Sequence, residues 1–223
     1  MIEREREVFS QLQSSAIVAV LIINDARDAV PLARALLAGG VNAMELTLRT
    51  PVALDALRAI RAEMPDMLAG IGTILFARQI KEVVAAGAQF GVAPGTSPRV
   101  MQAAAEAGLP FAPGICTPSD IERALEFDRR FLKFFPAEPS GGLKYLESIA
   151  APYQHLDVKY IPLGGVSEAN CHAWLSSRHV GGIGGSWLAP QNLIASQDWS
   201  AVQHLAARAI AIRDGVRSST LLS

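Results

Sequence analysis

The chain has 223 residues, half of them hydrophobic and 18% charged, with a formal net charge of -1. That is enough chain to bury one large core, and it fits a single domain over residues 1–223. Neither charge sign dominates, so nothing in the balance points to nucleic acid or an anionic membrane as a partner.

Residues 3–7 alternate acidic and basic side chains, so the N-terminus is too charged for a signal peptide. Residues 1–15 are predicted to form an N-terminal helix. The longest apolar run, Ala16 to Ile23, falls far short of the roughly 20 residues that cross a bilayer. A cytoplasmic protein is expected. Short apolar runs then alternate with helix-length amphipathic segments. The runs are Ala16–Ile23, Asn42–Leu48, Met67–Thr73, Gln89–Ala93, Pro110–Pro113, Phe131–Phe135, Val158–Leu163 and Val180–Gly184. Strands covered on both faces read as near-continuous apolar runs of this kind.

Between the runs, Thr50-Pro51, Ser97-Pro98 and Thr117-Pro118 each set a capping hydroxyl before a proline suited to the first helical position. Ala26 to Leu37 has apolar residues at a 3.6-residue period, and Gly39-Gly40 ends it. Pro31 conflicts with a helix over that whole stretch, so the helix starts later or kinks. The last clear helix is predicted from about Asp198 to Arg213, followed by a frayed polar tail over 215–223. Eight strands alternating with helices predict an α/β fold, a (β/α)8 TIM barrel. A doubly wound open sheet is the alternative. Against it, Asn24-Asp25-Ala26-Arg27 after the first run carries no glycine-rich dinucleotide fingerprint.

Active sites of such barrels form at the C-terminal ends of the strands. The polar residues there are Glu45, Arg49, Thr73 and Lys133, with glycines 164–165 and 184–185 and Ser186 after the last two runs. Lys133 lies in Phe131-Leu132-Lys133-Phe134-Phe135 and is one of four lysines. Apolar neighbours strip hydration from an ammonium and favour the neutral amine, which can attack a carbonyl and form a Schiff base. The other reading of the pentapeptide is a lysine whose stem packs while its ammonium reaches water. Lys159 begins its strand and is read as structural. Strand alternation puts Glu45 and Thr47 on one face. A lone inward carboxylate is costly unless paired, and a Schiff base would supply both a partner and a use for a general base.

Glycines in the loops after the seventh and eighth strands suggest a phosphate cradle of backbone N–H groups. Arg49 could grip a carboxylate bidentately or serve in a surface salt bridge. The four histidines fall away from these strand ends. Cys116 and Cys171 are read as reduced thiols. With no CxxC and no histidine at ligand spacing, neither a metal nor any other cofactor is expected.

These residues sit in a series of motifs: Ala38-Gly39-Gly40-Val41, Glu45-Leu46-Thr47-Leu48-Arg49-Thr50, Gly72-Thr73, Pro94-Gly95, Pro113-Gly114, Lys133-Phe134-Phe135-Pro136-Ala137-Glu138, Gly164-Gly165 and Gly184-Gly185-Ser186-Trp187. In that order they resemble the 2-keto-3-deoxy-6-phosphogluconate (KDPG) and 4-hydroxy-2-oxoglutarate (KHG) aldolases. The resemblance runs from about Ala16 to Leu205. It implies a (β/α)8 barrel assembled as a homotrimer. It also implies a class I aldolase that cleaves KDPG to pyruvate and glyceraldehyde 3-phosphate, with 4-hydroxy-2-oxoglutarate as a further substrate.

By that resemblance Lys133 forms the Schiff base and Glu45 carries the proton. Arg49 and Thr73 hold the pyruvate carboxylate, Pro94 shapes the pocket wall, and Gly164, Gly165 and Ser186 bind phosphate, with Gly184 and Gly185 expected beside them from their glycine turn. Gluconate-type members often carry threonine before the Gly-Gly, where this chain has Leu163. That opens the galactonate epimer as an alternative substrate. Other readings of the same barrel are a phosphate-binding isomerase or synthase, and a non-catalytic phosphate-binding protein.

Overall fold

The computed structural model describes residues 3–220. Each predicted run contributes strand. The strands are β1 (Ile17–Leu21), β2 (Ala43–Thr47), β3 (Leu68–Gly72), β4 (Gly91–Val92), β5 (Phe111–Ala112), β6 (Gly114–Ile115), β7 (Phe131–Phe134), β8 (Lys159–Pro162) and β9 (Ile183–Gly185). The helices are α1 (Glu3–Ser15), α2 (Ala29–Ala38), α3 (Ala53–Glu63), α4 (Ala77–Ala85), α5 (Pro98–Glu106), α6 (Pro118–Glu126), α7 (Gly142–Ala150), α8 (Glu168–Leu175), α9 (Gln191–Ala195) and α10 (Trp199–Thr220).

Every ladder between these strands is parallel. They form a curled six-stranded sheet in the order β5-β4-β3-β2-β1-β9 and a three-stranded sheet β6-β7-β8. The fifth run holds β5 alone, and a second segment, β6, follows directly after it. Pro113 separates them because proline has no N–H for a ladder. β5 pairs with β4 and β6 with β7, while the Pro113 carbonyl accepts from Lys133 N–H at 2.9 Å. On the far side, Tyr160 of β8 forms a parallel bridge with Val180, just before β9.

Along β1, β2, β3 and β7, alternation separates two apolar layers. Leu21, Met44, Leu46, Ile71, Leu132 and Phe134 join the large core under the helices. Val18, Ala43, Leu68, Phe90, Phe131 and Ile161 form a second cluster inside the curled sheet. α1 adds Val8, Phe9 and Leu12 to that inner cluster, with Phe9 stacked on Phe131 at 4.7 Å. Since Ala43, Leu68 and Phe131 begin their strands, α1 plugs the N-terminal end of the sheet. Glu5 and Arg129, both buried, fasten the plug with an ion pair.

Several helix boundaries differ from expectation, each for a visible reason. A 3-10 turn over Ala26–Asp28 precedes α2, so Pro31 sits in the first helical turn, where its missing N–H has no partner to lose. Thr50 does not cap α3, because its hydroxyl donates to Ile23 O at 2.6 Å. Thr117 does cap α6 in a capping box with Asp120. The expected frayed tail is corrected as far as Thr220. α10 continues through it, with Arg213 donating to Ser15 O and Arg217 to Gln13 O and Ser14 O. Residues 221–223 of the tail lie outside the described residues. Among the described residues no helix is long and apolar enough to cross a membrane.

Candidate active site

β7 carries Phe131 and Lys133 on its inner face, and Phe135 keeps to that side just past the strand's end. Phe131 belongs to the apolar floor, so Lys133 stands one layer above it. β2 does the same with Ala43, Glu45 and Thr47, and Glu45 reaches the level of Lys133. Lys133 Nζ donates to Glu45 Oε1 at 3.2 Å. Both side chains are almost wholly removed from water, at 7% and 3% exposure. The inward carboxylate thus has its partner in the lysine itself. The Phe135 ring lies over the same amine, 5.4 Å from Nζ to the ring centre.

This pair sits at the base of a cavity of about 220 Å³, open to solvent and suited to a small metabolite rather than a drug-sized ligand. All eleven residues singled out from the sequence line it: Glu45, Arg49, Thr73, Pro94, Lys133, Leu163, Gly164, Gly165, Gly184, Gly185 and Ser186. Arg49 is exposed at the mouth and makes no ion pair among the described residues. The charged groups of the lining are therefore two cations and one carboxylate, a balance that favours an anionic ligand.

Thr73 follows β3 with φ +61°, a left-handed conformation that a β-branched residue rarely adopts. Such strain is held in place by its surroundings, and it gathers at functional sites. Gly164 and Gly165 have φ of +91° and +86°, so the turn after β8 needs glycine at both positions. Pro94 faces β6 so closely that a β-carbon on Gly114 would lie 2.2 Å from the Pro94 carbonyl carbon.

Sequence reasoning missed some of the lining. Val20, Ile22, Phe135 and Val166 also face the cavity; strand alternation hinted at the first three, and nothing in the sequence marked Val166. Lys159, read as structural, lies away from the cavity and bonds Arg178 O and Asp157. No histidine lines the cavity. Both cysteines are free thiols, and burial pushes the Cys171 thiol up. Among the described residues no group of three or more His, Cys, Asp or Glu could hold a metal ion.

The family model described as KDPG and KHG aldolase matches residues 8–205. A 2-dehydro-3-deoxy-phosphogluconate aldolase of Pseudoalteromonas atlantica is 42% identical, over 95% of this chain and 96% of its own. A KHG/KDPG aldolase of Escherichia coli is 41% identical, over 90% of this chain and 93% of its own. Among solved structures, the KDPG aldolase of Legionella pneumophila superposes with a TM-score of 0.86 at 35% identity, covering 92% of this chain and 97% of that one. That crystal holds pyruvate captured at low pH as a covalent carbinolamine intermediate.

Proposed function

This chain belongs to the KDPG and KHG aldolase family of carbon–carbon lyases, and from that premise we propose that it cleaves KDPG to pyruvate and glyceraldehyde 3-phosphate through a Schiff base on Lys133. The observation that carries the reading is the buried Lys133–Glu45 contact at the base of an open cavity.

The chemistry follows from that contact. An ammonium facing a carboxylate can pass it a proton, and the freed amine attacks the C2 carbonyl of a 2-oxo acid to give a carbinolamine. The Legionella relative holds pyruvate in that state. Glu45 returns the proton to the departing hydroxyl, water leaves, and a protonated imine remains. Glu45, again ionised, takes the proton of the C4 hydroxyl. The C3–C4 bond breaks toward the imine, the aldehyde departs, and the enamine of pyruvate stays on Lys133. Protonation of that enamine at C3 and hydrolysis release pyruvate and restore the amine.

The remaining lining fits the same substrate. Arg49 and Thr73 hold the carboxylate beside the imine, and Pro94 walls the pocket. Gly164, Gly165, Gly184, Gly185 and Ser186 receive the phosphate. 4-Hydroxy-2-oxoglutarate, which lacks a phosphate, is a second substrate of the same chemistry. The aliphatic Leu163 in the lining favours one further reading, in which the galactonate-derived epimer is also cleaved.

We also propose that the chain is one domain in which the two sheets close into a (β/α)8 barrel. The split fifth strand joins one seam and the Tyr160–Val180 bridge the other. A homotrimer is proposed from the family resemblance. The exposed Leu75 and Phe76, beside the cavity residue Thr73, are apolar surface that an interface would cover.

Borohydride trapping tests the central claim. Incubation with pyruvate and reductant should leave a covalent three-carbon adduct on Lys133 and on no other lysine. Absence of the adduct would remove the Schiff-base reading, and with it the aldolase mechanism.

A further inference from the structure

The turn Leu163-Gly164-Gly165 has each of its three carbonyl oxygens tied down. Ala137 N–H donates to Leu163 O at 2.7 Å, and Glu138 N–H donates to Gly164 O at 3.0 Å. The Asn170 side-chain amide donates from Nδ2 to Gly165 O at 3.1 Å. In a trans peptide the N–H points opposite to the C=O. The N–H groups of Gly164, Gly165 and Val166 therefore point away from those partners, and these three residues all line the cavity. Among the described residues no hydrogen bond takes up any of the three N–H groups. Three unpaired N–H groups in consecutive residues make an anion-binding concavity.

The Asn170 amide is itself held. Its Oδ1 accepts from Ser167 N–H at 2.8 Å, at the start of α8, and its Nδ2 also donates to Glu138 Oε1 at 3.1 Å. The same Glu138 oxygen accepts the indole N–H of Trp174 at 2.8 Å, and Trp174 is fully buried one turn along α8. A carboxylate turned toward a phosphate would repel it. Here Glu138 bonds α8 instead and does not line the cavity.

We infer that Asn170 and Glu138 are positioning residues of this turn. Without touching the ligand, they hold the carbonyls back so that the N–H groups of residues 164–166 meet a phosphate monoester. The inference rests on the aldolase reading above and names what gives it a preference for a phosphorylated aldehyde.

The test runs the reaction in the synthesis direction, with pyruvate and either glyceraldehyde 3-phosphate or unphosphorylated glyoxylate as acceptor. Asn170→Ala and Glu138→Ala should each raise KM for glyceraldehyde 3-phosphate by about tenfold, the worth of one well-placed hydrogen bond, with kcat little changed. KM for glyoxylate should stay near the wild-type value. Glu138→Gln keeps an acceptor for Trp174 and Asn170 and should restore most of the loss. If the alanine variants fold poorly, Asn170→Asp still accepts from Ser167 N–H but cannot donate to Gly165 O, and it should show the same acceptor-specific rise.

Equal rises for both acceptors would show general loosening and overturn the inference. So would an unchanged KM for glyceraldehyde 3-phosphate. Wild-type protein that condensed pyruvate with neither acceptor would overturn the aldolase reading itself, and the inference with it.

Discussion

The carboxylate of Glu45 occupies the space that a side chain on Gly72 would need. A β-carbon at position 72 would lie 1.6 Å from Glu45 Oε1, 2.4 Å from its Cδ and 2.7 Å from its Cγ. β2 and β3 pair Thr47 with Gly72, so the glycine opens the wall beside the inner face of β2 at the level of the Lys133–Glu45 contact. Gly72→Ala should therefore push the carboxylate away from Lys133 while leaving the lysine in place. Exchange of pyruvate methyl protons in deuterated water should slow markedly, whereas borohydride trapping of pyruvate should persist. In a Glu45→Gln background the same substitution should add little. Wild-type exchange in Gly72→Ala would show that the carboxylate relaxes without cost to proton transfer.

Glu45→Gln keeps the shape of the side chain and removes the carboxylate proposed as the base. General acid–base groups contribute about 10²–10⁴-fold, and proton exchange at the pyruvate methyl should fall by that order. Adduct formation with pyruvate should slow, since Glu45 also serves the imine-forming steps, but solvent can move those protons and the trapped adduct should still accumulate. Exchange at full rate would assign the proton to another group.

Lys133→Arg should abolish cleavage, because arginine stays protonated and cannot form an imine. Lys159→Arg is the control, since that lysine only bonds Arg178 O and Asp157 away from the cavity. A Lys133→Arg protein retaining more than a few per cent of activity would sink the assignment.

Much of this was legible in the sequence because buried parallel strands announce themselves as apolar runs. A polar residue inside such a run, as at Glu45 or Lys133, is conspicuous by its cost. Two kinds of feature stayed hidden. One is contact across the sheet: neither Gly72 nor Glu45 signals that one makes room for the other. The second is non-local pairing, as between Glu5 and Arg129, 124 residues apart. Pro113 was visible, but its effect of dividing a strand between two ladders needed the neighbouring strands in place. The extension of α10 past Arg213 likewise depends on carbonyls at the end of α1, which no helical period records.

The Glu5–Arg129 pair yields a stability prediction. Both side chains are at or below 6% exposure, and among the described residues Arg129 Nε has no hydrogen-bond partner. Removing one member of a buried pair leaves an uncompensated charge, at a cost of about 3–5 kcal/mol. Glu5→Gln should lower the urea midpoint accordingly, with kcat at low temperature little changed, because the pair sits at the opposite end of the strands from Lys133. Replacing both by apolar residues, Glu5→Leu with Arg129→Met, should recover much of the loss. A fall of less than about 1 kcal/mol in the single variant would mean that the pair behaves like an exposed surface bridge.

The final prediction concerns Leu163. It lines the cavity at 4% exposure, just before the Gly164–Gly165 turn. Its side chain packs where a β-carbon on Gly184 would come within 2.9 Å of its Cγ. An apolar wall discriminates weakly between substrates, by about 10–200-fold for a methylene-sized difference, whereas a site built to bond a hydroxyl rejects the wrong partner far more strongly. With leucine here, a polar handle on the substrate's C4 hydroxyl is missing from this part of the wall. The wild-type enzyme should accept both C4 epimers with comparable kcat/KM. Leu163→Thr should shift the ratio of kcat/KM toward the gluconate-derived epimer, since the new hydroxyl can bond the C4 hydroxyl in one configuration only. Assay of both epimers on both proteins decides it. A wild type that already strongly prefers the gluconate epimer, with a ratio unmoved by threonine, would mean that selection is made by other lining residues and that Leu163 serves only to pack against Gly184.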